Sequence, residues 1–286
     1  MLRPQIDEIA RSAGADAVAV STYDYETETA WSLRGARPFH AASTVKVAVL
    51  FGLFDAFERG ALPRDGRLHV RNRFLSAADG EPFRVATSRD GNAEVYDALG
   101  RTLPLVDLAR HMIQTSSNLA TNLLVDLVGV EPIRAALHRY DVPGIDVVRG
   151  VEDERAWAAG LNNTVTADGL VRLFRVIHDE ALSPDSSEAM REILVGQQFR
   201  SGIPGGLPEA VRDEAEVAHK TGDISTVTHD AGLVFLPNRA PYAVAILTEW
   251  DPEGEASQSE RRATVAAVSR VVYDALAAPR AEAADA

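Results

Sequence analysis

The sequence of 286 residues contains no cysteine, so disulfide bonds, zinc–thiolate sites and a cysteine nucleophile are all excluded. Positive charge is also scarce: 29 lysines and arginines stand against 42 acidic residues, which leaves a net charge of −13. Such a chain lacks the basic surface that binds nucleic acid or anionic membranes. No run approaches the roughly 18 apolar residues of a membrane span. We therefore predict neither a nucleic-acid nor a membrane partner.

The remaining composition, 46% hydrophobic and 25% charged, is typical of a soluble globular protein. The length fits one large domain or two of ordinary size. Residues 1–7 are polar and contain no apolar signal core. We expect a cytoplasmic protein from the sequence as it stands, or an exported one if a signal peptide preceded it and was removed.

Lysine is the rarest charged residue. Of the 29 basic residues, 27 are arginine, and only Lys46 and Lys220 are lysine. Arginine cannot give up its proton in a protein, whereas a lysine amine can do so when buried. The two lysines are therefore candidates for chemistry, although they could also be leftovers of a compositional bias.

Hydrophobic periodicity predicts strands near both ends of the chain and helices between them. The predicted strands span residues 16–25, 28–33, 215–221, 228–236 and 241–249. The predicted helices span residues 3–13, 43–59, 105–114, 118–128, 131–140, 166–180, 186–196 and 257–277. Residues 61–104 form a mixed excursion, and residues 143–165 are predicted to be a loop.

This order predicts an α/β (α+β) fold in which both termini build one antiparallel sheet, flanked by helices, with an all-α domain inserted between them. The sheet domain would be discontinuous, formed by residues 1–45 and 215–286, and the helical domain would take residues 46–214. The active site would lie at their junction, and residues 279–286 would be a disordered tail.

The first chemical motif is Ser43-Thr44-Val45-Lys46, at the start of the apolar helix 43–59. Residues three apart share one face of a helix, so the Lys46 amine can reach the Ser43 hydroxyl. A helix start also favours a developing negative charge. On its own, the motif is better explained by a helix-capping serine and a lysine that extends to solvent.

Two further motifs follow in the chain. Ser116-Ser117-Asn118 opens a helix, where ordinary capping would also place such residues. Lys220-Thr221-Gly222 ends a predicted strand, and the glycine would allow a ligand to approach the backbone closely. Each is weak alone, but the ordered set of three is the signature of class A β-lactamases and penicillin-binding proteins.

The chain therefore resembles the penicillin-recognising serine hydrolases, and among them the class A β-lactamases, over nearly its whole length. The resemblance implies a β-lactamase/transpeptidase-like fold and an acyl-enzyme on a serine. Ser43 would be the nucleophile and Lys46 its base, acting directly or through water. Ser116 would relay a proton to the leaving nitrogen, and Asn118 would hold the side-chain amide of the substrate.

The resemblance also assigns the third motif. Lys220 would supply positive potential, and Thr221 would bind the substrate carboxylate next to Gly222. The backbone amides of Ser43 and Asp223 would form the oxyanion hole, where each donor is worth roughly 10²–10³ in rate.

The chain departs from the family pattern at three places. Ser117 replaces the usual aspartate of the second motif, which is mainly structural. In the loop that would carry the deacylating glutamate the spacing is altered, so Glu152 is the first candidate and Glu154 the second, and both could instead be solvated acids. Asp223 stands where the family has a small neutral residue, and its carboxylate would repel anionic substrates unless Arg261 or Arg262 offsets it.

We thus expect a monomeric hydrolase that acts on β-lactams or related small amides and esters, with no cofactor and no metal. Two alternatives stay open at this point. One is a cytosolic esterase, amidase or D-peptidase-like enzyme with the same nucleophile. The other is a penicillin-binding sensor domain that is acylated and does not turn over.

Overall fold

A five-stranded antiparallel sheet joins the two ends of the chain. The computed structural model describes residues 2–277, so the predicted tail at 279–286 lies outside the described residues. The strands are β1 (Ala17–Asp24), β2 (Thr29–Leu33), β10 (Glu216–Ile224), β11 (Val227–Phe235) and β12 (Tyr242–Glu249). Their spatial order is β10-β11-β12-β1-β2, which places the N-terminal hairpin beside the C-terminal strands.

The helices fall largely where the periodicity predicted them. The long helices are α1 (Leu2–Ala13), α2 (Lys46–Glu58), α4 (Leu105–Gln114), α5 (Asn118–Val128), α6 (Val130–Arg139), α8 (Ala167–His178), α9 (Pro184–Val195) and α12 (Gln258–Leu276). The short ones are α3 (Ala93–Asp97), α7 (Glu154–Ala158), α10 (Ile203–Gly206) and α11 (Glu209–Arg212).

The segments expected to be irregular contain short elements of their own. Residues 61–104 hold β4 (Arg67–His69), β5 (Phe74–Leu75), β6 (Pro82–Phe83) and β7 (Thr102–Pro104) besides α3. The predicted loop 143–165 contains β8 (Ile145–Asp146), α7 and β9 (Thr164–Val165), and β9 pairs with β3 (Phe39–His40). This pairing ties the loop to the chain just before Ser43.

Helices cover both faces of the sheet. On one face α1 and α12 pack over an apolar cluster that includes Val18, Val244 and Val268. On the other face α8 packs against β1, β11 and β12, and the larger apolar cluster continues from there into α2. The predicted antiparallel sheet from both termini is thus confirmed. The division into two domains stays a prediction. By residue number α8 belongs to the predicted helical domain, yet it packs on the sheet.

The predicted helix 43–59 begins differently from the expectation. Residues Ala42–Val45 form a 3₁₀ turn, and the α-helix α2 starts only at Lys46. Every residue of α2 from Lys46 to Ala56 is buried, as expected of a segment in which all residues except Lys46 and Asp55 are apolar or glycine. None of the helices within residues 2–277 combines the length and apolar character needed to cross a bilayer.

Candidate active site

Ser43 lies in the wall of a cleft of about 930 Å³. One side of the cleft is the 149–163 loop, and the other side is the end of β10 together with the start of α12. The lining also includes Arg89, which comes from the 61–104 excursion. The cleft residues used below are His40, Ser43, Arg89, Asn118, Arg149, Glu152, Glu154, Trp157, Asp223 and Arg261.

The Ser116 hydroxyl connects Ser43 to Lys46. Its Oγ lies 3.0 Å from Ser43 Oγ and 3.1 Å from Lys46 Nζ. Ser116 has a positive φ of 59°, an uncommon backbone conformation that points to a constrained position. The sequence predicted a direct or water-mediated link between Ser43 and Lys46, and the structure places the Ser116 hydroxyl between them.

The Lys46 amine is fully buried and has two further acceptors. Its Nζ lies 2.7 Å from the Ser116 carbonyl oxygen and 2.8 Å from Asn118 Oδ1. Burial lowers the pKa of Lys46 well below its usual value, and the nearby Lys220 lowers it further, while Asp90 and Glu152 oppose the shift. The amine is therefore suited to accept a proton.

Asp90 was not anticipated from the sequence. Ser117 caps α5 through its own hydroxyl, which accepts from the amide of Ala120. The Asp90 carboxylate also reaches this helix end: its Oδ2 accepts from the amide of Leu119 at 2.7 Å and from Ser117 Oγ at 3.2 Å. The second motif lacks its usual aspartate, and a carboxylate 27 residues earlier in the chain stands at the same helix start. No local pattern could have revealed this contact.

Glu152 and Glu154 are placed differently. Glu152 Oε1 accepts from Asn118 Nδ2 at 3.2 Å, and its Oε2 pairs with Arg89 Nε at 2.9 Å. Its side chain is 20% exposed, and its φ is +59°. Glu154 is exposed at the first residue of α7 and lines the cleft. The structure therefore brings Glu152, and not Glu154, into contact with Asn118.

The Asn118 amide is fully engaged in this arrangement. Besides Glu152, its Nδ2 donates to the carbonyl oxygen of Arg89 at 2.6 Å. Since an amide nitrogen has two hydrogens, a substrate carbonyl would have to compete for one of them.

Buried polar groups hold the 149–163 loop in place. The Arg149 guanidinium donates to the carbonyl oxygens of Leu161 and Gly150, at 2.6 and 2.9 Å, and to Asn162 Oδ1 at 3.1 Å. Asn163 Oδ1 accepts from the amide of Arg149 at 3.1 Å. In the sequence, Arg149 lies farther from Leu161-Asn162 than in the family pattern. In the folded chain, the hydrogen bonds of the Arg149 guanidinium join the two across α7.

Lys220 faces the same region and is also completely buried. Its Nζ donates to the carbonyl oxygen of Thr221 at 2.9 Å. Burial lowers the pKa of Lys220 to about 7, although Asp230 and Asp223 oppose the shift. The positive potential expected of Lys220 would therefore be present below about pH 7 and lost as the pH rises through it.

Gly222 lies directly against the serine turn. A Cβ atom at this position would be 3.1 Å from the amide nitrogens of Ser43 and Thr44, closer than most real Cβ contacts. Glycine therefore allows β10 to approach Ser43 closely, as its place in the third motif predicted.

Asp223 is paired within the cleft wall. Its Oδ2 accepts from Nε and Nη2 of Arg262, at 3.3 and 3.2 Å, whereas its Oδ1 is buried without a partner. Arg261 lies nearby, but its guanidinium donates to the carbonyl oxygens of Ala256, Ser225 and Asp251. Of the two arginines, Arg262 is thus the one that offsets Asp223.

No three side chains of the metal-binding types converge as they would around an ion within residues 2–277.

Comparison with known proteins identifies the family of this chain. A family model described as the beta-lactamase enzyme family matches residues 1–276. A relative named beta-lactamase, from Bacteroides uniformis, is 25% identical over 251 residues, which are 83% of this chain and 79% of the relative. The β-lactamase/transpeptidase-like fold predicted from the sequence is thereby confirmed.

Two solved structures share this fold. An ancestral class A beta-lactamase superposes with a TM-score of 0.81 and 23% identity, covering 96% of this chain and 100% of that one. A mutant of PBP-A, solved as an acyl-enzyme complex with penicillin G, superposes with a TM-score of 0.77 and 24% identity, covering 96% and 95%. At such low sequence identities, these two structures show only that the fold is shared.

Proposed function

We propose that this chain, which belongs to the beta-lactamase enzyme family, is a serine hydrolase that acts on β-lactams, and that Ser43 is the nucleophile on which the acyl-enzyme forms. The observation that carries the assignment is the continuous contact from Ser43 through Ser116 to the buried amine of Lys46. A nucleophilic hydroxyl needs such a connected base to lose its proton.

The hydrogen-bond inventory supports a direction for proton transfer. A neutral amine has two N–H groups and one lone pair. The Ser116 carbonyl and Asn118 Oδ1 can only accept, so they take the two hydrogens of Lys46. As the contacts stand, Lys46 Nζ donates to Ser116 Oγ, and Ser116 Oγ donates to Ser43 Oγ. Once the amine is neutral, its lone pair can accept from the Ser116 hydroxyl, which can then rotate to accept from Ser43. As Ser43 attacks the substrate carbonyl, its proton would pass to Ser116 and the Ser116 proton to Lys46. The reverse transfer would protonate the leaving nitrogen.

Glu152 is our candidate base for hydrolysis of the acyl-enzyme. It contacts Asn118, which in turn contacts Lys46, so its carboxylate lies one residue away from the proton relay. A water between Glu152 and the ester carbonyl would lose its proton to the carboxylate as it attacks. The ion pair with Arg89 keeps one oxygen occupied and leaves Oε1 on the Asn118 side.

The third motif supplies the binding groups. Lys220 would attract the carboxylate of an anionic substrate, Thr221 would donate to it, and the amides of Ser43 and Asp223 would bind the developing oxyanion. The position of Gly222 against the Ser43 amide supports this, because strand and nucleophile approach one another there.

A second candidate, an esterase or amidase acting on neutral substrates, is favoured by one observation. The Asp223 carboxylate in the cleft wall is compensated by a single arginine that is 37% exposed. We propose that the enzyme acts as a monomer, since all of the residues assigned above belong to one chain. Light scattering tests this.

Intact-mass spectrometry over time, with a penicillin and with a small activated ester, tests the function. We expect an adduct on Ser43 that appears and decays, no adduct in Ser43→Ala, and slower acylation in Ser116→Ala. An adduct on another serine would contradict the assignment. An adduct that never decays would favour a penicillin-binding sensor over a hydrolase.

A further inference from the structure

The turn that carries Ser43 begins with a strained residue. Ala42, immediately before Ser43, has a φ of +45°, a left-handed backbone conformation that alanine rarely adopts. It opens the 3₁₀ turn Ala42–Val45, so its amide is one of the donors that a helix start leaves without a partner inside the helix. A strained conformation of this kind persists only where the surrounding structure holds it.

The imidazole of His40 holds Ala42. Its Nδ1 accepts a hydrogen bond from the amide of Ala42 at 3.1 Å. A backbone amide can only donate, so Nδ1 is unprotonated, and the hydrogen of the neutral ring lies on Nε2. His40 therefore cannot take the Ser43 proton while this hydrogen bond is made. Its place in the cleft wall is explained by support of the turn, and not by acid–base chemistry.

A second histidine, His229 on β11, holds the first. Its Nε2 donates to the carbonyl oxygen of His40 at 3.0 Å, and its Nδ1 accepts from the amide of Thr248 on β12 at 3.2 Å. An imidazole can donate through one nitrogen and accept through the other only when it is neutral. His40 and His229 together form what we call the histidine clamp.

Burial keeps both rings of the clamp neutral near pH 7. Burial, with a smaller contribution from Arg149, lowers the pKa of His40 to about 4. Burial also lowers the pKa of His229 to about 4, although its hydrogen bond to the His40 backbone opposes the shift. Trp157 packs edge-on against the His40 ring and Phe39 against the His229 ring, with 5.0 and 5.8 Å between the centroids. Both rings are thus fixed in tautomer and in orientation.

The clamp acts at the rung of the sheet that lies against Ser43. In the register of β10 and β11, His229 pairs with Gly222. Gly222 is the glycine whose missing Cβ atom would lie 3.1 Å from the Ser43 amide nitrogen. A turn fitted this closely against β10 cannot shift without moving the Ser43 amide and hydroxyl relative to the strand.

We propose that the histidine clamp positions Ser43: His40 holds Ala42 in its left-handed conformation, and His229 holds His40. The inference rests on the proposed acyl-transfer function, because it assigns a positioning role in that reaction. The clamp acts on the turn and not on the substrate. Its loss should therefore lower the acylation rate constant and leave KM nearly unchanged.

Single-turnover acylation of Ser43 by an activated ester tests the clamp. His40→Leu, which keeps a similar volume and removes the acceptor, should lower the acylation rate constant by about tenfold or more, with KM changed by less than about twofold. In His40→Asn the side-chain oxygen can accept from the amide two residues on, so this variant should recover most of the rate. His178→Leu removes a partly buried histidine of α8 that lines a separate groove, and this matched control should leave the rate unchanged. If His40→Asn is as slow as His40→Leu, or if the control loses as much, the proposal is wrong.

Glycine at position 42 separates positioning from packing. Ala42→Gly removes the Cβ atom that makes the left-handed conformation costly, so the turn depends less on the clamp. His40→Leu should therefore cost about threefold or less in the Ala42→Gly background, against about tenfold or more in the wild-type background. An equal loss in both backgrounds would overturn the proposal, since the defect would then come from lost packing against Trp157.

Nitrogen-15 NMR of the histidine side chains tests the clamp without a substrate. At pH 7 both His40 and His229 should carry a hydrogen on Nε2 and none on Nδ1, and the signals are assigned by their loss in His40→Asn and His229→Gln. A hydrogen on Nδ1 of His40 would overturn the proposal. If the expected tautomers are found but no ester or penicillin acylates Ser43 in the wild type, the proposed function fails and the clamp is still supported. If Ser43 is acylated equally fast in His40→Leu, the clamp fails and the proposed function is unaffected.

Discussion

Removal of the Arg262 guanidinium should make the cleft selective against anionic substrates. Arg262 contacts Oδ2 of Asp223 through two nitrogens, at 3.2 and 3.3 Å. In Arg262→Ala the Asp223 carboxylate would keep its charge and lose this partner. Side chains alternate along a strand, so Asp223 shares a face of β10 with Thr221, the expected contact of the substrate carboxylate.

The size of the effect follows from Coulomb's law. Two negative charges 4–6 Å apart repel by about 1 kcal/mol in water and by several times more where solvent is excluded. The Asp223 side chain is 17% exposed, so water screens the pair only in part. We therefore expect a loss of about 1–2 kcal/mol for an anionic substrate, which is about 5- to 30-fold in kcat/KM. A neutral ester of matched reactivity should change by less than about twofold.

The assay is a double-mutant cycle in which the rates of acylation by benzylpenicillin and by the neutral ester are measured by stopped flow. Asp223→Ser should raise kcat/KM for the penicillin selectively, because Arg262 is then free to attract it. The double variant Asp223→Ser/Arg262→Ala should restore the penicillin to near the wild-type value. Added salt should reduce the penalty in Arg262→Ala. Equal responses of the two substrates, or a double variant as slow as Arg262→Ala, would refute the charge argument.

Four further predictions follow from the site. Lys46→Arg should lower the acylation rate by about 10²–10⁴, because arginine cannot accept the proton, whereas Lys220→Arg should be milder; similar losses in the two variants would contradict the division of roles. Glu152→Gln should leave acylation intact and let the acyl-enzyme accumulate in mass spectra, while Glu154→Gln should not; if neither prolongs the adduct, another group drives hydrolysis. KM for an anionic substrate should rise above about pH 7, because the pKa of Lys220 is about 7 and its charge is present below and lost above that pH, and a neutral ester measured in parallel should show no such rise. Asp90→Ala should lower the free energy of unfolding by about 1 kcal/mol through loss of its contacts at the start of α5, and an unchanged thermal midpoint would show that Ser117 suffices as the cap.

The predictions that succeeded rest on spacing within one element. The Ser43–Lys46 separation places both residues on one turn, and the start of α5 at Asn118 follows the predicted helix. The alternation of strand residues predicted β10, β11 and β12 to within a few residues, and the apolar sequence of α2 predicted a buried helix. One exception is the 3₁₀ turn before α2, since the pattern of apolar residues is the same for both kinds of helix at their first turn.

The loop 149–163 shows where prediction from the sequence reached its limit. Glu152 and Glu154 are two residues apart in one acidic segment, and composition cannot rank them. The structure separates them because Glu152 adopts a positive φ and meets Asn118, whereas Glu154 begins α7 and faces solvent. Arg89, which engages Glu152, comes from the excursion at 61–104, for which the sequence predicted no role.

The order of helices and strands, the residue types available for catalysis and the scarcity of lysine that points to Lys46 and Lys220 can all be read from the sequence. Three contacts exist only in the folded chain: Ser116 joins Ser43 to Lys46, Asp90 reaches the start of α5, and Arg262 pairs with Asp223. The lowered pKa values of the two lysines also depend on folding, because burial is a property of the whole packed chain. Distance along the chain explains the difference. Periodicity shows which neighbours share a face, whereas contacts between residues 27 to 73 positions apart form only after the helices have packed on the sheet.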